Sequence, residues 1–238
     1  MRVDEKNEII RKFKDWFRED VISNHEKNTL KLVNIEEFNI NPILIKYLAN
    51  YLEGDSSPRS LAKTLVYPRV LGTSITTTFG TAMQKFITTV LEAYGSLIEG
   101  IDIEFEDQID HEKKYCQLKS GPNALNKDDI KTVKDHFITA RRTATRNNLK
   151  LTNSSFVFCM IYGEPGEMNS FIAKVASDYP VYIGREFWHR FTGDETFYKD
   201  LIIAIEEVAK EVNMKDLVDE IIDKVAAQII ERFEILKG

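Results

Sequence analysis

A chain of 238 residues, 43% hydrophobic and 29% charged, is long enough to bury a substantial core and has no compositional mark of disorder, collagen or a disulfide scaffold. Its charged start, Met1-Arg2-Val3-Asp4-Glu5-Lys6, leads into no apolar run, and no stretch of about 18 apolar residues follows, so a cytoplasmic protein without a membrane span is expected. The net charge of −6 argues mildly against a nucleic-acid partner, yet residues 113–150 hold ten Lys or Arg against three Asp, whereas residues 194–238 hold six basic against twelve acidic side chains.

Ile9, Ile10, Phe13, Trp16 and Phe17 fall at helical spacing, and Pro42 opens a second helical stretch through Leu44, Ile45, Leu48 and Leu52 that stops at Gly54-Asp55. Past the polar break Asp55 to Pro58, a mixed stretch runs to Leu71. The Thr-rich run from Thr73 to Thr78 then enters a helix carrying Met83, Phe86, Ile87, Val90, Leu91 and Tyr94, which Gly100 ends. Ile101 to Asp107 alternates apolar and acidic residues with the period of two of a half-buried strand, its apolar face being Ile101, Ile103 and Phe105. After a polar turn, Tyr115-Cys116-Gln117-Leu118-Lys119 is a second alternating strand that ends at Ser120-Gly121-Pro122-Asn123, so the pair reads as a β-hairpin.

A long amphipathic helix is expected from Lys127 to about Asn147, with Ile130, Val133, Phe137, Ile138 and Ala140 as its stripe. Phe156 to Tyr162 is apolar on both faces, the pattern of a central strand, and Pro180 to Ile183 gives a further short one. Two helices, near 196–212 and 215–236, close the chain, the last serving as packing or dimer surface. The expected fold is α/β (α+β), a mixed sheet flanked by helices in one domain over residues 1–238: a helical part to residue 71, a core over 72–190 and C-terminal helices over 191–238. Cys116 and Cys159 sit inside apolar runs and read as reduced core residues, which leaves neither a disulfide nor a zinc pair.

The hairpin carries the chemistry. Its midpoint near residue 110 brings Asp102 opposite the stretch from Gln117 to Lys119 by antiparallel register. Gln117 and Lys119 are two apart and project from one face, while Leu118 points into the core. A carboxylate, an amide oxygen and an ammonium then share a small patch. Hydrolysis of a phosphodiester needs those parts: hard oxygen ligands for Mg²⁺ and a cation near the attacking water. Glu104 shares the face of Asp102 and is a further candidate ligand, with the balancing of nearby Lys side chains as its other reading.

Ile101-Asp102-Ile103-Glu104 followed by Gln117-Leu118-Lys119 resembles the PD-(D/E)xK nuclease signature, in the variant where Gln replaces the second acid and without the Pro before the first Asp. Lys119 to Asn123, Tyr162-Gly163, Phe187-Trp188 and Thr192-Gly193-Asp194 extend the resemblance, over about residues 72–205, to type II restriction endonucleases of that superfamily. The resemblance implies Mg²⁺-dependent hydrolysis of double-stranded DNA at a short, near-palindromic site, giving 5′-phosphates, by a homodimer. It also implies that the preceding helix lends a side chain to the metal site; Gln84 is the first candidate and Glu92, on the same face, the second.

Lys127, Arg141, Arg142 and Arg146 are the leading candidates for DNA-phosphate contact, and Ser120, Asn123 and Asn126 for the loop that meets the duplex. His25, His111, His136 and His189 are scattered without metal-ligand spacing, and no phosphate-binding G-x-x-x-x-G-K-[ST] loop exists, so a zinc hydrolase and an ATP-driven motor find no support. Trp188 reads as core rather than as a base-stacking platform. Two alternatives keep the fold: a structure-specific repair or recombination nuclease, and an inactive DNA-binding module.

Overall fold

The structure is a computed structural model that describes residues 1–90, 94–96, 98–123 and 125–232. It divides the chain into two compact units, Met1–Asp15 with Ala82–Glu206, and Trp16–Thr81 with Glu207–Gly238. The segment to residue 71, expected as one helical part, contributes to both.

The first unit is built on a five-stranded mixed sheet in the order β1 (Tyr94–Gly95), β2 (Ile103–Glu106), β3 (Lys113–Lys119), β4 (Phe156–Met160) and β5 (Val181–Ile183). β1, β2 and β3 are antiparallel neighbours, and β3, β4 and β5 are parallel ones. The parallel half follows from its connections: α6 (Lys127–Arg146) links β3 to β4 and α7 (Ser170–Ala176) links β4 to β5, each a crossover of the kind parallel strands require. β4 is buried at every residue, which is why its sequence shows no polar alternation.

One sheet face packs Tyr115, Phe156, Phe158 and Met160 against Val133, Phe137 and Ala140 of α6 and Ile172 and Val175 of α7. The opposite face carries Phe105, whose ring meets Phe187 and Phe191 of α8 (Arg185–Thr192) at centroid distances of 6.3 and 5.2 Å. Trp188, also in α8, is fully buried, donates its indole N–H to the Ile161 carbonyl at 2.8 Å and packs on Phe197 at the start of α9 (Phe197–Ala209), so it is a core residue. Cys116 and Cys159 are buried free thiols, and burial followed by the neighbouring Cys159 thiol pushes Cys116 well above the ordinary thiol range. Ile101 departs from its expected face. It lies before β2, where its amide bonds to the Ile98 carbonyl, and it packs with Tyr115 and Phe137 rather than beside Ile103 and Phe105.

The second unit is helical. α4 (Pro58–Pro68) begins at Ser57, whose hydroxyl caps the Ser60 amide, with Pro58 at the first helical position where no N–H is needed. Leu61, Ala62 and Val66 of α4 pack against Ile221, Ile222, Val225 and Ile229 of α10 (Lys215–Arg232) and Ile45 and Ala49 of α3 (Ile45–Glu53). The acidic side of α10 is engaged as well: Asp219 and Asp223 both pair with Arg59. α3 ends at Gly54, and beyond its buried residues it presents Tyr47, Leu48, Tyr51 and Leu52 to solvent, with Ile43 and Leu44 exposed in the turn just before it. Among the described residues no helix is long and apolar enough to cross a membrane.

Candidate active site

The hairpin register pairs Ile103 with Cys116 and Glu104 with Tyr115, which sets Asp102 opposite Gln117. Asp102 is fixed at both ends. Its amide donates to the Cys116 carbonyl at 2.9 Å, and its carboxylate Oδ2 accepts the Leu118 amide at 2.7 Å. A carboxylate that receives a backbone N–H from the facing strand is held in one orientation. Gln117 and Lys119 alternate with Leu118, which is buried on the other face of β3.

Gln117 is 9% exposed, and its amide nitrogen lies 2.7 Å from Nδ1 of His136 on α6. Its carbonyl oxygen Oε1 is buried and has no hydrogen-bond partner among the described residues. A buried amide oxygen without a partner costs on the order of 1–3 kcal/mol, so it marks a place where a ligand is wanted. Lys119 is half-buried and has no ion-pair partner among the described residues. Beyond it, the chain is locked to the loop after β4. A side chain at Gly121 would meet the Tyr162 ring at 2.3 Å, and the Tyr162 amide bonds to the Ser120 carbonyl at 3.0 Å.

The remaining candidates fall in different places. Glu104 has both oxygens engaged, one accepting the Ser96 hydroxyl at 2.6 Å and the other paired with Lys113 at 2.6 Å. Glu92 and the Gln84 side chain lie outside the described residues. Asn126 is the N-cap of α6: its side chain accepts from the Asp128 and Asp129 amides while Asp129 returns a bond to its backbone, so turn chemistry accounts for it. Asn123 is exposed. Lys127, exposed at the first turn of α6, stands at the sheet edge where β3 ends.

Arg141, Arg142 and Arg146 do not stand there. At 1.5 Å per residue they lie roughly 20 to 30 Å further along α6, toward the edge where β4 begins, and Arg141 bonds to Asn153 at 2.6 Å. The sequence grouped them with the active strand because they follow it closely, but a crossover helix runs away from the strand end that it leaves. His136 is the converse case. Its isolation among the histidines hid it, whereas its spacing, three residues after Val133 and four before Ala140, sets it at the margin of the buried stripe of α6.

Among the described residues no three His, Cys, Asp or Glu side chains cluster as a metal site. A carboxylate and an orphaned amide oxygen on one face, beside a lysine, are nonetheless hard donors suited to Mg²⁺ and unsuited to a thiophilic ion. The fold is that of a restriction-endonuclease-like core. The family described as type II restriction endonuclease EcoO109I matches residues 5–213, and the chain belongs to that family. No curated protein matches the chain. The protein is therefore a member of a family of nucleases that act on DNA.

Proposed function

We propose that this protein is a Mg²⁺-dependent type II restriction endonuclease, a homodimer that hydrolyses double-stranded DNA at a short, near-palindromic site through Asp102, Gln117 and Lys119. One juxtaposition carries the reading: a buried, unpartnered Gln117 oxygen opposite an anchored Asp102, with Lys119 on the Gln117 face, in a chain of a restriction endonuclease family. Asp102 and Gln117 would hold Mg²⁺, which retains several waters and so needs few protein ligands. Bound there, the ion would supply Lewis acidity toward the scissile phosphate. The Lys119 ammonium holds the attacking water and offsets the negative charge that gathers on the phosphate oxygens. Water attacks phosphorus in line, the bond from phosphorus to the 3′ oxygen breaks, and that oxygen takes a proton, leaving a 3′-hydroxyl and a 5′-phosphate.

Gln84 remains a candidate for the same site from the preceding helix. Ser120 and Asn123 in the loop after β3 and Lys127 at the start of α6 follow Lys119 in the chain and form the proposed DNA-contacting segment. With plasmid DNA and Mg²⁺ the protein is expected to give discrete fragments, and Asp102→Ala to cut roughly 10³-fold more slowly. Site-specific cleavage retained by Asp102→Ala would overturn the assignment, and cutting confined to junctions or mismatches would replace restriction by repair.

A two-fold site calls for a two-fold protein, and α3 offers the surface. Ile43, Tyr47 and Tyr51 form one row four residues apart, with Leu44, Leu48 and Leu52 beside it, all exposed. Together they present a largely uncharged exposed stripe of the kind that marks an interaction site. A second copy meeting the same stripe would bury it on both sides. Tyr51→Asp is expected to sediment as a monomer; a persistent dimer would remove α3 from the interface.

A further inference from the structure

We propose that His136 is a positioning residue for the metal site: it selects the orientation of the Gln117 amide, and with it which atom of Gln117 faces the cation. The inference rests on the proposed nuclease reading and concerns a residue outside the signature. A glutamine presents two nearly isosteric ends, an oxygen that attracts a cation and an NH₂ that repels one. In a buried site, whichever end is held decides what the other end shows. Here the held end is Nε2, 2.7 Å from Nδ1 of His136, and the exposed consequence is Oε1 without a partner. For the amide to donate, Nδ1 must be the accepting nitrogen of the ring.

A second observation concerns the same ring. Gly100 has φ +80, and a Cβ added there would stand 2.2 Å from Cγ of His136. The turn two residues before Asp102 therefore lies directly against the imidazole. A single ring meets Gln117 of β3 by a hydrogen bond and, at Gly100, the turn that leads to Asp102 by contact. The ring is itself held by the helix that bears it. Phe137, the next residue, is fully buried and meets Tyr179 edge-on at 4.8 Å, while the Asn126 cap fixes where α6 starts. Rotation of α6 about its axis is thereby blocked, and His136 keeps its aim.

Outer partners that orient metal ligands typically contribute 10- to 100-fold in metal affinity. Mn²⁺ is the probe, its binding to the full-length protein followed by calorimetry and by its electron paramagnetic resonance signal, independently of cleavage. His136→Ala is expected to weaken Mn²⁺ binding about 10- to 100-fold. His136→Gln, whose side-chain oxygen can accept from the Gln117 amide, is expected to recover most of that loss and guards against a folding defect in the alanine variant. Gln117→Glu supplies oxygen at both ends and needs no selection, so His136→Ala in that background is expected to cost less than about threefold. An equal loss in the two backgrounds, or none in either, would overturn the proposal. Asp102→Ala separates it from the reading beneath: if Asp102→Ala leaves Mn²⁺ binding intact the metal site itself fails, whereas if Asp102→Ala abolishes binding and His136→Ala does not weaken it, only the role of His136 fails.

Discussion

At the turn end of the hairpin formed by β2 and β3, Asp107 is fully buried, and its carboxylate accepts the Ile109 amide at 2.9 Å and the Arg190 guanidinium at 2.9 Å. Lys114, 1% exposed, pairs there with Asp110 at 2.8 Å and Glu112 at 3.2 Å, and Arg190 lies over the Tyr182 ring at 4.4 Å. At the other end the same two strands present Asp102, Gln117 and Lys119, and there a buried amide oxygen has no partner and a lysine no counter-ion among the described residues. Both ends are polar and both are tucked against apolar layers. The turn end spends its charges on one another, and such a network fixes structure. The open end leaves the Gln117 oxygen unsatisfied and Lys119 without a counter-ion among the described residues, the usual mark of groups kept for a ligand.

If that contrast is sound, substitutions at the two ends should separate activity from stability. The largest effect is expected at the open end. Lys119→Met keeps the apolar stem and removes the ammonium, so cleavage is expected to slow by roughly 10²- to 10³-fold while the thermal midpoint scarcely moves, because no ion pair is broken. A matching fall in both would return Lys119 to the structural class. Next comes Asp107→Ala at the turn end, which leaves the Ile109 amide without its acceptor and Arg190 with only Glu186 and Asp110. It is expected to destabilise by about 3 kcal/mol in denaturant unfolding, with the cleavage rate of the folded fraction unchanged. Gln117→Met sharpens the comparison further: at nearly constant volume it deletes the orphan oxygen but also the bond from the Gln117 amide to His136, so a loss of cleavage with little net change in stability is expected. A loss of stability there would show that the amide is structural.

The hairpin and its register could be read from the chain because they rest on a period of two and on a short loop, both local. The apolar alternation of residues 101–107 and 115–119 sufficed to set Asp102 across from the stretch Gln117 to Lys119, and the strand pairing then fixed Gln117 as its partner. β4 was legible for the opposite reason, since a run without polar residues has no solvent face. What escaped was decided by distant parts of the chain. The placement of Arg141, Arg142 and Arg146 depends on the direction of α6, which follows from the parallel pairing of β3 with β4, and no window of sequence contains that pairing. Glu104 met Lys113 and Ser96, neither visible as a partner from the alternation alone. His136 joined the site because Gly100 lets its ring approach, a meeting of residues 36 positions apart.

The smallest expected effect is also the one that tests whether the turn end is a closed network. Burial works to raise the Asp110 carboxyl, but its bonds to Lys114 and to the Glu112 amide, together with the charge of Arg190, hold it below the ordinary aspartate value of 3.8. Burial works to lower Lys114, and its bonds to Asp110 and Glu112 overcome that and hold it above the ordinary 10.5. A depressed carboxylate contributes stability that is fully present above 3.8 and is lost as the pH falls through its lower folded value; a raised lysine contributes below 10.5 and loses that share as the pH rises through its higher folded value. The pair therefore supports a plateau between those limits. Because Asp110 is partly exposed, its share is only about 0.5 kcal/mol. Asp110→Asn should lower the urea midpoint slightly at pH near 7, and the difference from wild type should vanish in acid, once the wild-type carboxyl is itself protonated. A difference that persists unchanged in acid would mean that Asp110 acts through packing or its bond to the Glu112 amide, and that Lys114 is neutralised chiefly by Glu112.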